Sequence, residues 1–138
     1  MSEASCIFCR IVKGEIPASR VYEDNIALAF LDIRPLNKGH TLVIPKKHYA
    51  YVYDVPDDEI AHLHKIAKKI AAAIKKSVKA EGITISQHNE PAAGQDIFHM
   101  HIHVIPRYEG QKLPRFEELK EVSRAELDEV AKKLKQHL

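Results

Sequence analysis

His99-Met100-His101-Ile102-His103-Val104-Ile105 alternates three histidines with three apolar residues before closing on Ile105. A period of two is the pattern of a half-buried β-strand. On such a strand the three imidazoles share one face, roughly 6.8 Å from Cα to Cα, and Met100, Ile102 and Val104 share the other. Packing alone does not call for this choice. Val or Ile fills a core better and brings no ring nitrogen that must find a partner. The histidine face is therefore read as functional and the opposite face as core.

The flanking sequence supplies the rest of a small sheet. Residues 83–88 alternate again, and the β-branched residues of 83–86 and 102–105 mark both segments as central strands. Upstream, strands are expected at 19–22 and 26–33, joined by Glu23-Asp24-Asn25, and at 40–45, closed by Pro45. A short helix is expected over 5–13, and a long one over 57–80. Asp57, Asp58 and Glu59 sit at the favourable end of the long helix's dipole, and Gly82 is its expected terminator. Its apolar stripe is Ile60, Leu63, Ala67, Ile70, Ile74 and Val78, which leaves His62 and His64 at the surface. Ser123 and Glu126 form a capping box for a last helix with the stripe Leu127, Val130, Ala131, Leu134 and Leu138. The order strands, helix, strands, helix with short connections predicts an α+β domain: a five-stranded antiparallel sheet with helices on one face.

The 138 residues suffice for one domain, 1–138, with a proper core. A hydrophobic content of 45% and a charged content of 29% are those of an ordinary globular protein. No secretory h-region and no apolar run of membrane-spanning length is present, so no membrane partner is expected and the expected location is cytoplasmic. A net charge of +2 makes no electrostatic case for nucleic acid. Cys6 and Cys9, the only cysteines, form a Cys-x-x-Cys. Without a thioredoxin-like βαβ pattern it reads as half of a metal site, or as two unpaired thiols on a short helix.

Two chemistries suit aligned histidines. A three-His set can hold a catalytic metal, or a neutral imidazole can attack as a nucleophile and form a covalent intermediate. The loop before the strand favours the second. Ala92-Ala93-Gly94-Gln95 is small enough for its backbone to approach an anion, and Asn89 and Gln95 add amide donors. A phosphate cradle beside histidines implies phosphoryl or nucleotidyl transfer.

The run Gly94-Gln95-x-x-x-His99-x-His101-x-His103-Val104-Ile105-Pro106-Arg107 resembles the signature of the histidine triad family of nucleotide hydrolases and transferases. Cys6-Ile7-Phe8-Cys9, Glu15-Ile16-Pro17, Val21-Tyr22-Glu23-Asp24, Ala29-Phe30-Leu31-Asp32-Ile33 and Gly39-His40-Thr41-Leu42-Val43-Ile44-Pro45-Lys46-Lys47-His48 resemble its N-terminal half. The likeness spans residues 5–107; the tail 108–138 has no comparable match. It implies that His101 is a nucleophile toward the α-phosphorus of a nucleotide, that His103 assists the leaving group, and that His40 is a further histidine near the phosphate. It implies phosphate or ribose contacts from Asn89, Gly94 and Gln95, a ribose-binding carboxylate at Asp32, and an apolar base slot of Phe8, Ile11, Phe30 and Ile33. It implies a structural zinc on Cys6, Cys9, His48 and His99. It also implies a homodimer with the sheet continued across the interface and a purine nucleotide such as AMP or GMP as ligand.

The expected activity is hydrolysis of nucleoside monophosphate derivatives of phosphoramidate or acyl type. The alternatives are dinucleoside polyphosphate hydrolysis, a non-catalytic nucleotide binder and a three-His metal hydrolase. One position departs from the family pattern: Asp96 stands where a Ser or Thr donor is usual. At Asp96 an ionised carboxylate repels phosphate, a protonated one donates to the bound nucleotide, and one turned away supports a histidine.

Overall fold

The computed structural model describes residues 3–138. Five strands, β1 (Arg20–Glu23), β2 (Ala27–Leu31), β3 (Thr41–Pro45), β4 (Gly82–Gln87) and β5 (Ile102–Arg107), form one sheet in the order β1-β2-β3-β5-β4. Every neighbouring pair is antiparallel. Three α-helices accompany it: α1 (Ile7–Val12), α2 (Asp57–Ser77) and α3 (Arg124–Lys135). The fold is α+β, as the order of elements implies.

Alternation does its expected work at the histidine segment. Met100, Ile102 and Val104 are fully buried and join the core beneath α2 and α3, with Val43, Leu63, Ile70 and Leu134. Regular strand pairing begins only at Ile102, so His99 and His101 lie on the segment that leads into β5. There Met100 N–H donates to the Tyr49 carbonyl at 2.7 Å, which runs the His48 segment alongside the His99 segment. Register carries the other face across the sheet: Phe30 pairs with Leu42, Leu42 with His103, and His103 with Ser86.

Helices do not keep to one side. Phe8, Cys9 and Ile11 of α1 pack with Leu28, Phe30, Leu42 and Ile44 in a second core on the face opposite α2. All five residues of β2 and of β3 are accordingly buried. Segment 83–86 is not central: β4 ends the sheet, and Ile85 is 47% exposed there. Its β-branched residues fit a pleated surface wherever it lies, so composition cannot tell edge from centre. Helix α2 stops at Ser77, three residues before the expected end. Lys79 adopts the left-handed conformation (φ 52°), and Gly82 opens β4 instead of capping the helix. Strand β2 ends at Leu31, leaving Ile33 outside it, and Leu138 lies beyond α3, 48% exposed.

His64 is exposed, but His62 is half-buried, with Nε2 at 2.6 Å from Asp24 Oδ2. Asp24 also accepts from the backbone N–H of Ile26 and Ala27 and from Tyr22 O–H, so one turn carboxylate joins β1, β2 and α2. Ser123 caps α3, its Oγ accepting from Glu126 N–H, and Arg124 and Asp128 of the same helix bond Ser19 beside β1.

Leu63 is fully buried between α2 and the sheet. Leu63→Ala is expected to lower the unfolding free energy by about 2–5 kcal/mol through lost transfer energy and a residual cavity. Urea denaturation checks this; an unchanged midpoint would mean that α2 does not clamp the sheet.

Candidate active site and metal centre

Cys6, buried at the N-cap of α1, accepts from Cys9 N–H, so the first helical turn aims both sulfurs the same way. His99 Nδ1 stands 3.4 Å from Cys6 Sγ and 3.5 Å from Cys9 Sγ, and His48 Nδ1 stands 3.3 Å from Cys9 Sγ. The four ligand atoms all lie within 4.8 Å of one another. A tetrahedral ion with Zn–S of about 2.3 Å and Zn–N of about 2.0 Å separates S from N by about 3.5 Å, which matches. His99 donates its Nε2–H to the Pro45 carbonyl at 2.8 Å, leaving the Nδ1 lone pair directed at the cysteines. Burial and the adjacent Cys6 thiol push Cys9 up to about 12. Two buried thiols are poorly served by that environment alone, whereas a divalent cation would take both as thiolates. The donor set fits zinc, in a closed site with no open coordination position.

The remaining two triad histidines face away from this cluster. His101 donates Nδ1–H to the His99 carbonyl at 2.8 Å, which leaves Nε2 as a lone pair. A second chain of bonds orders His40 and His103. Leu36 N–H donates to His40 Nδ1 at 3.1 Å, so His40 carries its proton on Nε2 and donates to His103 Nδ1 at 3.0 Å. His103 therefore holds its proton on Nε2. Asp32 Oδ2 lies 3.7 Å from His40 Nε2, and its Oδ1 accepts from Arg34 N–H.

This geometry removes the three-His metal reading. His99 points its lone pair into the cysteine cluster and His101 points its own elsewhere, so the triad has no common focus. Asp32, His40 and His103 do lie within 4.8 Å of one another, but the Leu36 N–H occupies the His40 lone pair and the His40 proton occupies the His103 lone pair.

The histidines open onto a cavity of about 450 Å³. Phe8, Ile11, Phe30 and Ile33, the residues expected of a base slot, all line it, as do Asp32, His40, His101, His103, Gly94, Gln95 and Asp96. Phe8 sets its ring edge-on to Phe30 (5.4 Å between centroids) and to His101 (5.2 Å), so α1 joins the apolar wall to the imidazole.

Asn89 does not line the cavity: its amide bonds Val52 N–H and Gln87. Gln95 is buried and fully engaged, accepting from Glu90 N–H and donating to the carbonyls of Ala50 and Ile97. The backbone N–H groups of Gly94 and Gln95 bond Pro91 and Glu90 within the loop. Loop 89–96 is thus built by these amides. Gly94 is required there: its φ is +90°, and a Cβ would meet His88 Nδ1 at 3.4 Å. Asp96, by contrast, is half-exposed and turned inward, with Oδ1 4.0 Å from His101 Nε2.

Several lining residues escaped the sequence reading. Ser86 and His88 share the cavity face of β4 and the residue beyond it, and the alternation of 83–88 could have found them. His88 bonds the Ala93 carbonyl and sets its ring against His103, 5.6 Å away. Arg34 carried no signal, nor did Phe116 and Leu119, since only the folded chain returns the tail to the slot; Val122 N–H bonds the Ile33 carbonyl.

Burial favours the neutral form of four imidazoles: it lowers His40 and His99 to about 4 and His103 to about 3, and it lowers His101. The same desolvation raises Asp32 to about 6.

The HIT domain family matches residues 13–110. An uncharacterized HIT-like protein of Methanocaldococcus jannaschii is 51% identical over 131 residues, 94% of this chain and 98% of that one. The adenylylsulfatase HINT3 of Arabidopsis thaliana is 40% identical over 129 residues (94% of this chain, 65% of that one), and the adenosine 5′-monophosphoramidase HNT1 of Saccharomyces cerevisiae is 41% identical over 105 (76% and 64%). Among solved structures, a Hit-like protein from Bartonella henselae superposes with a TM-score of 0.92 at 42% identity, covering 97% of this chain and 96% of that one. A Zn-bound histidine triad protein from Mycobacterium smegmatis gives 0.86 at 39% identity, covering 99% and 94%. With its signature, sheet and cysteine–histidine cluster all accounted for, the chain belongs to the histidine triad (HIT) family.

Proposed function

We propose that this protein hydrolyses nucleoside monophosphate derivatives at the α-phosphorus through a nucleotidyl-His101 intermediate. The observation that carries the reading is the His101 imidazole, neutral and held by its Nδ1–H on the His99 carbonyl, with the Nε2 lone pair free at the cavity. In the first step Nε2 forms a bond to phosphorus, and the electron pair of the P–X bond leaves with X, which takes up a proton. In the second step a water oxygen bonds phosphorus, the N–P pair returns to Nε2, and the water's proton passes to solvent. His103 Nε2–H donates to a phosphate oxygen or the departing group, kept in that tautomer by His40. Phe8, Ile11, Phe30 and Ile33 clasp a purine, as in AMP or GMP, and Asp32 accepts from ribose hydroxyls.

Relatives named as acting on adenylyl sulfate and on adenosine phosphoramidate support this class. Dinucleoside polyphosphate hydrolysis shares the intermediate, whereas a mere nucleotide binder forms none. The whole chain acts as one domain. Zinc on Cys6, Cys9, His48 and His99 serves structure, pinning α1 to the histidine segment. The free edge of β4, with Ile85 exposed, supports a homodimer that continues the sheet. Among the described residues no helix is long and apolar enough to cross a membrane, and we read a cytoplasmic protein without a membrane or nucleic-acid partner.

His101→Asn is expected to bind AMP yet lose more than the roughly 10²–10⁴-fold that general-base loss costs. Acid-quench trapping of labelled nucleotide on the wild-type protein tests the intermediate, and retained turnover within tenfold removes the assignment. Because the neutral form attacks and burial lowers the His101 pKa, kcat/KM should stay level as pH falls from 8 to 6.5. It should drop only below that, as His101 takes up a proton.

The purified protein is expected to hold about one zinc per chain. Replacing Cys6 and Cys9 by Ser should abolish the metal and lower Tm, with a smaller loss of nucleotide affinity. Metal analysis and calorimetry read both; freely titrating thiols in metal-free native protein would refute the site.

Asp32→Ala should weaken AMP about ten- to a hundredfold, and 2′-deoxy-AMP less, for a hydrogen bond to a charged group of about 1.5–3 kcal/mol. With Asp32 raised to about 6, the wild-type preference for ribose should itself fade as pH drops from 7 to 5. Equal losses for both sugars would make Asp32 structural.

A further inference from the structure

We propose that Asp96 determines which leaving groups this site accepts, favouring amines and disfavouring anionic groups such as polyphosphate or sulfate. The inference rests on the nucleotidyl-transfer reading above and deepens it.

The position of the carboxylate is set from both sides. Gly94, at φ +90°, turns the chain, and buried Gln95 locks the turn through Glu90 N–H and the Ala50 and Ile97 carbonyls. Between Gln95 and the bonded Ile97 carbonyl, the backbone of residue 96 has little room to reorient. Its side chain lines the cavity with Oδ1 4.0 Å from His101 Nε2, the atom that attacks. In-line displacement puts the leaving group across the phosphorus from Nε2, about 4 Å from it, so it departs no farther than about 8 Å from this carboxylate.

The charge balance of the cavity gives that placement its consequence. Among the described residues its lining contains Asp32, Asp96 and one cation, Arg34, and no lysine; its four histidines are His40, His88, His101 and His103. The nucleotide's own phosphate brings the same charge with every substrate, so its repulsion cancels when substrates are compared. The leaving group does not cancel. A polyphosphate or sulfate carries further negative charge as the P–O bond breaks and its electron pair stays on oxygen. An amine leaves with the pair of the P–N bond on nitrogen, takes a proton from solvent and ends neutral or cationic, which a carboxylate attracts. These distances do not exceed the Debye length of about 8 Å in physiological salt, so counterions screen the difference only in part. Because the side chain is 56% exposed, the effect is moderate, about tenfold in relative rate, between the bulk-water and protein-surface limits for like charges.

The test compares kcat/KM for adenosine 5′-phosphoramidate with that for diadenosine tetraphosphate in wild type, Asp96→Asn and Asp96→Ser. Asn keeps the shape and removes the charge. The phosphoramidate-to-polyphosphate ratio is expected to fall about tenfold in both variants. Added salt should narrow the wild-type ratio and leave those of the variants nearly level. Trapped nucleotidyl-protein in wild type together with a ratio unmoved within twofold overturns the role of Asp96 alone. Absence of both adduct and turnover in wild type overturns the catalytic reading and this inference with it.

Discussion

The hydrogen bond from His101 Nδ1–H to the His99 carbonyl is the contact on which the site depends. It spans two residues, yet it links the two halves of the molecule's chemistry. The backbone that accepts the bond is fixed because His99 itself is held three ways. Its Nδ1 faces Cys6 and Cys9, its Nε2–H reaches the Pro45 carbonyl, and the following residue bonds Tyr49. A metal in that cluster would thus set the aim of an imidazole it never touches. The same bond chooses the tautomer, and the tautomer decides which ring nitrogen meets a ligand.

Desolvation is the second constraint. Six histidine rings crowd this region: His48 contacts His99, and His103 contacts His101, His40 and His88. Charging His40, His99, His101 or His103 costs hydration and repels neighbouring rings, so burial lowers the pKa of all four. Folding contributes the reverse dependence. His40 and His103 take up protons more readily when unfolded, so their stability contribution is complete above pH 6.5. It is lost as pH falls toward their folded values of about 4 and 3. The environment that prepares a neutral nucleophile also makes the fold acid-sensitive.

Much of this was legible in the chain because period-two alternation is a local property. Met100, Ile102 and Val104 went to the core, and α2 buried Leu63, Ala67, Ile70 and Ile74 as its stripe required. Asp24 and His62, 38 residues apart, show where such reading stops. A histidine off the apolar stripe looks like a surface residue until β1, β2 and α2 bring it to a turn carboxylate. Loop 89–96 shows the same limit. Asn89 and Gln95 look like free donors in the sequence, but a loop whose backbone must be satisfied takes most amides within reach.

By itself the sequence determined the fold class, the pairing of a histidine face with an apolar face, and the residue types for a metal cluster and a nucleotide slot. The first two follow from periodicity, which is written locally; the ligand set and the slot residues came from the resemblance of the chain's motifs to the HIT family. Only the tertiary structure decided that α1 covers the face opposite α2, that β4 is an edge, that Phe116 and Leu119 return to the slot, and that Asp96 turns toward His101. Those outcomes depend on which distant segments compete for the same surface and on where a rigid loop aims its last side chain. Neither the period nor the composition of a segment contains that information.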